Sequence, residues 1–194
     1  EHGQREIERE VARIWEGTVM GEPGSEVFLA DSPAGTFGWV HSGGERYMLT
    51  TGDPQGDRLM VSYASTGMAA GMIKWTPFEC GASELAGPPP QDEAPIDPEA
   101  SLNGGGMCMT VDLAIDTDNA FLSLFGGDEL GAQGYIESLV AGASTIYKRD
   151  VNTRFLLSYS RLWTTTDPWI STTTADALPE FRAHRSEEHT SELQ

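Results

Sequence analysis

The sequence predicts an α+β chain in which a small antiparallel β unit precedes an incomplete α/β unit. Three observations lead there. Short apolar runs between Trp15 and Tyr63 are separated by turn compositions, a helix-length apolar stripe lies between two alternating segments, and a Pro-, Gly- and acid-rich stretch divides the two patterns. With 194 residues, 39% of them apolar, the chain can build a packed core and is unlike a disordered one.

Residues 1–10 are dense in Glu and Arg; Ile7, Val11, Ile14 and Trp15 have helical spacing while Val11, Arg13, Trp15 and Val19 alternate like a strand, so a short frayed helix or linker running into a strand near residue 12 is expected. Strands are then expected at Glu26–Ala30, Phe37–His41, Arg46–Thr50 and Arg58–Tyr63. The segments between them, Gly-Glu-Pro-Gly, Ser-Pro-Ala-Gly, Ser-Gly-Gly and Gly-Asp-Pro-Gln-Gly, are turn formers. Their spacing is that of an antiparallel sandwich or barrel. So few strands make a small unit that needs something else to lean on.

Residues 81–107 form a linker by composition. Prolines stiffen it, acids solvate it and the Gly104–Gly106 run loosens its end, which leaves it open to a processing protease. This boundary sets the expected domains at 1–80, 81–107 and 108–184.

Beyond the linker, Val111, Leu113 and Ile115 share one face of a strand. Tyr135, Ile136, Leu139, Val140, Ala143, Ile146 and Tyr147 make a continuous helical stripe. Phe155, Leu157 and Tyr159 alternate again. Strand, long helix and strand imply a parallel pair joined by a crossover. A second helix follows over Thr174–His184, with Ala177, Leu178 and Phe181 inward, Thr174 or Asp176 near the cap, and Pro179 as a start or bend. Half an α/β domain lacks partner strands for its apolar faces, so poor solubility or loose packing is expected of it alone.

Residues 185–194, Arg-Ser-Glu-Glu-His-Thr-Ser-Glu-Leu-Gln, resemble the in-frame translation of a common sequencing-library adapter. They are expected to be an artefactual tail, with the chain a fragment of a longer protein. The first residue is Glu1, and no signal-like opening is present.

Charge excludes one class of partner. Thirty acidic against twelve basic residues give a formal −18, and the pI is near 4.4. That field repels a phosphate backbone, so nucleic acid is not expected as a partner, and no apolar run is long enough to span a membrane.

Chemical motifs are sparse. The sequence holds no HExxH, CxxC, P-loop, GxSxG or GxGxxG, and His2, His41 and His184 are isolated. Asp112, Asp116 and Asp118 alternate along a strand and its exit, where oxygen ligands for a hard cation such as calcium would compete with a plain solvated edge. Cys80 and Cys108, the two cysteines, flank the linker. Either they close one disulfide, or Cys80 is a free thiolate able to meet a zinc ion.

Gly17, Val19, Gly21, Pro23, Ser25, Val27, Leu29, Gly35, Gly38 and Tyr47 fall in a pattern that resembles the prodomain of reprolysin-type (adamalysin) zinc metalloproteases, with Ala30 departing where that family has Ser. Cys80-Gly81 is similar to the family's latency switch, which implies a thiolate capping the catalytic zinc. Val111-Asp-Leu-Ala-Ile-Asp-Thr-Asp-Asn resembles the opening strand of a metzincin catalytic domain. The helix over 134–149, Val151–Thr164 and Asp176–Arg182 then follow that domain's order, and Asp112 falls where the family carries a calcium-binding acid.

The resemblance implies a secreted zinc metalloendopeptidase precursor acting on a peptide or protein substrate and activated by a protease at the linker. The HExxHxxGxxH helix that would hold zinc is absent from these residues, so this chain is expected to be inactive. Two rival readings are a non-enzymatic secreted β-rich binding module and a hydrolase of another class, for which no nucleophile is evident.

Overall fold

A computed structural model describes residues 11–68, 108–171 and 173–191. They divide between two compact units, the first holding 11–68 and 108–166, the second 167–171 and 173–191. The architecture is α+β, with an antiparallel sheet followed by helix and strand.

Five strands make the first sheet: β1 (Arg13–Val19), β2 (Glu22–Ser32), β3 (Gly35–Ser42), β4 (Glu45–Thr50) and β5 (Val61–Ala64). Each pairs antiparallel with the next, in the order β1-β2-β3-β4-β5. Met20-Gly21, Pro33-Ala34 and Gly43-Gly44 turn the first three hairpins, and Gly43 and Gly44 take φ of +59° and +80°, the left-handed geometry a tight hairpin needs. The sandwich or barrel expectation is thereby corrected to a single meander sheet. Its second layer is a helix, which supplies the support so few strands need.

Boundaries shift for local reasons. β2 begins at Glu22 rather than Glu26, because the Ser25 hydroxyl accepts from Val19 N at 2.7 Å and donates to the Glu22 carbonyl at 2.6 Å, stitching the strand ends together. β5 begins at Val61 rather than Arg58, since Arg58 sits at φ +53° and breaks the extended run. The sequence reading of residues 1–10 lies outside the described residues.

In the second half, β6 (Met109–Asp116) pairs parallel with β7 (Thr153–Arg161), as strand–helix–strand order requires. Between them stand α1 (Asn119–Ser123) and α2 (Glu129–Val151). Asp118 caps α1 by accepting from Phe121 N at 2.6 Å, and Asp128 caps α2 by accepting from Leu130 N at 3.1 Å. Asn152, left-handed at φ 52°, ends α2 just after Lys148 and Arg149, whose charges suit the helix C-terminus. The expected helix over 134–149 thus lengthens at both ends through caps that an apolar stripe does not reveal.

The stripe itself is only partly the buried face. Ile136 and Val140 are buried, whereas Tyr135, Leu139, Ile146 and Tyr147 remain partly exposed. Gly131, Ala132, Gln133, Gly134, Ser138 and Gly142 are the other buried positions. Small residues bring the backbone of α2 close to the sheet, and volume is supplied from the strand side. Phe28 stacks on Trp39 with ring centroids 4.4 Å apart, Phe37 meets both edge-on, and Ala141 of α2 packs against them.

A second cluster gathers Ala34, in the β2–β3 turn, with Leu122, Phe125 and Ala132, joined by Phe121 and Leu162. On the two-stranded sheet Met109, Val111 and Leu156 stay exposed.

In the other unit, α3 (Thr174–Ser191) runs through Pro179. Asp176 N donates to the Thr173 hydroxyl at 3.3 Å and that hydroxyl donates to the Asp176 carboxylate at 2.6 Å, a reciprocal cap with Thr173 as N-cap and with Thr174 and Asp176 in the first turn, near the cap as expected. The Trp169 ring lies 5.8 Å from Phe181 and 5.2 Å from His184, holding the entering chain against the helix.

Candidate functional site

The acidic residues singled out by spacing lie on β6 and its exit. Asp112 and Asp116 are four residues apart on one strand, about 13 Å by strand rise, and so cannot converge on one ion. Asp112 is exposed. Asp116 is different: its side chain is fully buried, accepts from Trp163 Nε1 at 2.9 Å, and lies 3.9 Å from Arg161 Nη1. Asp118 is occupied as the cap of α1.

Around Asp116 the ends of the parallel strands are tied together. Thr117 donates from both its N–H and its hydroxyl to the Arg161 carbonyl, at 3.1 and 3.0 Å, and Asn119 Nδ2 donates to the Trp163 carbonyl at 3.0 Å. The Arg161 guanidinium carbon lies 5.4 Å from the Trp163 ring and 6.0 Å from that of Tyr159, whose hydroxyl accepts from Arg161 Nε at 2.9 Å. Carboxyl ends of parallel strands are where α/β sheets usually seat ligands. Here that edge carries a buried acid held by an arginine and an indole.

A shallow open groove of about 460 Å³ lies between β1, β2 and the end of α2, lined by Glu16, Gly17, Thr18, Glu26, Val27, Thr145, Lys148 and Arg149. Its acids are engaged. Glu16 accepts from the Thr145 hydroxyl at 2.6 Å and pairs with Lys148 at 3.8 Å, while Glu26 accepts from Trp39 Nε1 at 2.7 Å and from Arg149 at 3.1 Å. Hydrogen bonds to Asp150, then to Glu26, push the Arg149 guanidinium further up, and Arg149 in turn holds Asp150 below the usual carboxylate range. Acids paired in this way fasten a helix to a sheet. The sequence offered no signal for the Glu16–Thr145, Glu16–Lys148 and Glu26–Arg149 contacts, because each joins residues more than a hundred positions apart.

Cys80 lies outside the described residues. Cys108 is exposed just before β6, its thiol free and directed at the Met109 carbonyl at 3.6 Å.

The decisive comparison falls on the second half. Residues 108–193 match Reprolysin_5, Metallo-peptidase family M12. The match begins at the residue before β6 and runs through α1, α2, β7 and α3. It supports a metallopeptidase type of function and a reprolysin-like relationship for that segment. No curated protein matches the chain.

Metallopeptidases of this family are zinc-dependent in general. Among the described residues no group of three or more His, Cys, Asp or Glu side chains gathers to hold a metal ion, and His41 and His184 stand in different units. The described residues therefore do not fit a catalytic zinc. Among them, too, no helix is long and apolar enough to cross a membrane.

Proposed function

We propose that the chain is part of a secreted zinc metalloendopeptidase precursor. Residues 1–80 are its prodomain, 81–107 the linker cut by an activating protease, and 108–184 the first half of its catalytic domain. The observation that carries this reading is the family match over 108–193, which falls on strand, long helix, parallel strand and helix in the order the resemblance implies. Hydrolysis of peptide or protein substrates belongs to the intact parent, in which residues beyond this chain supply the zinc ligands. These 194 residues contain no HExxHxxGxxH and are inactive alone.

Within that reading Cys80 is the latency thiolate and Asp112 one oxygen ligand of a calcium site completed elsewhere. Residues 185–194 are adapter-derived, although the family match extends to residue 193.

Amplification outward from the codon for His184 tests the reading. An open frame that replaces the last ten residues and enters HExxHxxGxxH is expected. A frame that stops, or continues without that motif, overturns the protease assignment and favours a β-rich binding module.

A further inference from the structure

Residues 81–107 contain neither lysine nor arginine. A protease that recognises a basic side chain therefore has no bond to cut there. Between Arg46 of β4 and Lys148 of α2 the chain offers such an enzyme Arg58 and Lys74 alone. Lys74 lies outside the described residues.

Arg58 is set apart by its backbone. Every other lysine and arginine among the described residues stands in a strand or a helix, from Arg13 in β1 to Arg182 in α3, whereas Arg58 stands in the loop between β4 and β5. A protease takes its substrate as an extended strand along several residues, so a bond inside a ladder or helix must first be unfolded. The loop needs no such step. It is pinned at Gln55, whose Nε2 donates to the Leu124 carbonyl at 2.9 Å, and every residue from Gln55 to Tyr63 is exposed. Among the described residues no backbone amide or carbonyl of 57–60 takes part in a hydrogen bond. Arg58 itself sits at φ +53°, a conformation that strains a side chain with a Cβ, and its Nε donates to the Pro54 carbonyl at 3.1 Å on the surface. Straightening this segment releases the strain and exchanges one exposed hydrogen bond for water or enzyme.

We propose that the β4–β5 loop is a proteolytic site distinct from 81–107, cut after Arg58 by an arginine-specific protease whose pocket holds the guanidinium with a carboxylate. Water adds across the Arg58–Leu59 peptide bond, leaving a new carboxylate on Arg58 and a new amine on Leu59. β5 is then held to the sheet through its pairing with β4 and through Glu45, which accepts from the Thr66 hydroxyl at 2.8 Å. The enzyme that opens 81–107 must recognise something other than a basic side chain, so the two cuts call for different specificities. This site does not depend on the precursor reading.

The test incubates the full folded chain with an arginine-specific endoproteinase at a low enzyme ratio and times the products by intact mass. The chain should part between Arg58 and Leu59 at least about tenfold faster than after Arg46, Arg154 or Arg161, whose bonds open only with their sheets. Comparable rates, or an intact Arg58–Leu59 bond once those are cut, overturn the proposal. Arg58→Gln should abolish the early cut without moving the melting temperature, and an early cut that persists in that variant overturns the assignment to Arg58. Arg58→Lys should be cut early by trypsin but not by the arginine-specific enzyme, and resistance to trypsin would overturn the claim that the loop is open to a protease. A locus without the zinc motif would remove the precursor reading and leave the Arg58 cut standing, whereas a resistant Arg58–Leu59 bond would leave that reading untouched.

Discussion

Gly142 of α2 faces the indole of Trp39, and a Cβ placed on that glycine would stand 3.3 Å from the ring. Alanine there gains about 1 kcal/mol of helix propensity and asks the rings of Trp39 and Phe28 to yield by a few tenths of an ångström. Those terms nearly cancel, so Gly142→Ala should change stability by about 0.5 kcal/mol or less. Gly134→Ala faces Ser32 Cβ at 2.7 Å, an atom fixed to the hairpin backbone, and should destabilise by about 1–3 kcal/mol despite the same propensity gain. Urea unfolding of the two variants checks the contrast, and equal midpoints would contradict it.

Among the described residues Phe28 is the one large side chain that is fully buried. It touches its own sheet through Trp39 and Phe37 and lines the surface that receives α2. Phe28→Ala should therefore cost about 3–5 kcal/mol and remove helical and strand signals together. Circular dichroism followed at two wavelengths reports this, and loss of the strand signal alone would show that α2 does not depend on the sheet.

Much of this arrangement was legible in the sequence, and the illegible part has a common cause. Turn compositions at Ser-Pro-Ala-Gly and Ser-Gly-Gly announced the β2–β3 and β3–β4 hairpins, and the apolar stripe announced α2, because both signals are local. Gly-Glu-Pro-Gly also reads as a turn, yet its last three residues open β2. The direction in which α2 packs was not local. An apolar stripe names Tyr135 and Leu139 as readily as Ile136 and Val140, and only the bulky partners Phe28 and Trp39 select the glycine face. Asp116 and Asp112 looked alike by spacing, yet one is buried beside Trp163 and the other is in solvent.

Three surface carboxylates should add to the loss of stability in acid. Thr66 donates from its hydroxyl to Glu45, Arg149 hydrogen-bonds Asp150, and the Ser171 side chain, followed by the Ile170 and Ser171 amides, donates to Glu180, each holding its acid below the usual range. A carboxylate lowered in the folded state contributes stability that is complete above its unfolded pKa and is lost as pH falls through the folded value. Melting temperature should thus stay level from neutral pH to about 5 and fall below about 4. Glu45→Gln and Glu180→Gln should each flatten that fall. A curve unchanged in both variants would place the acid sensitivity elsewhere.

Removing either aspartate of β6 separates a structural acid from a solvent-facing one. Asp116→Ala takes the carboxylate that accepts from the indole N–H of Trp163 and removes a buried charge from beside Arg161. That should cost about 1–3 kcal/mol and shift Trp163 fluorescence. Asp112→Ala removes an exposed side chain and should stay within about 0.5 kcal/mol in metal-free buffer. Added calcium then distinguishes the remaining role of Asp112: if that carboxylate contributes to a calcium site, calcium raises the melting temperature of the parent chain and leaves Asp112→Ala unmoved. An equal calcium response in both chains would remove Asp112 from any such site, while the stability gap between the two variants would still identify Asp116 as the acid that ties β6 to β7.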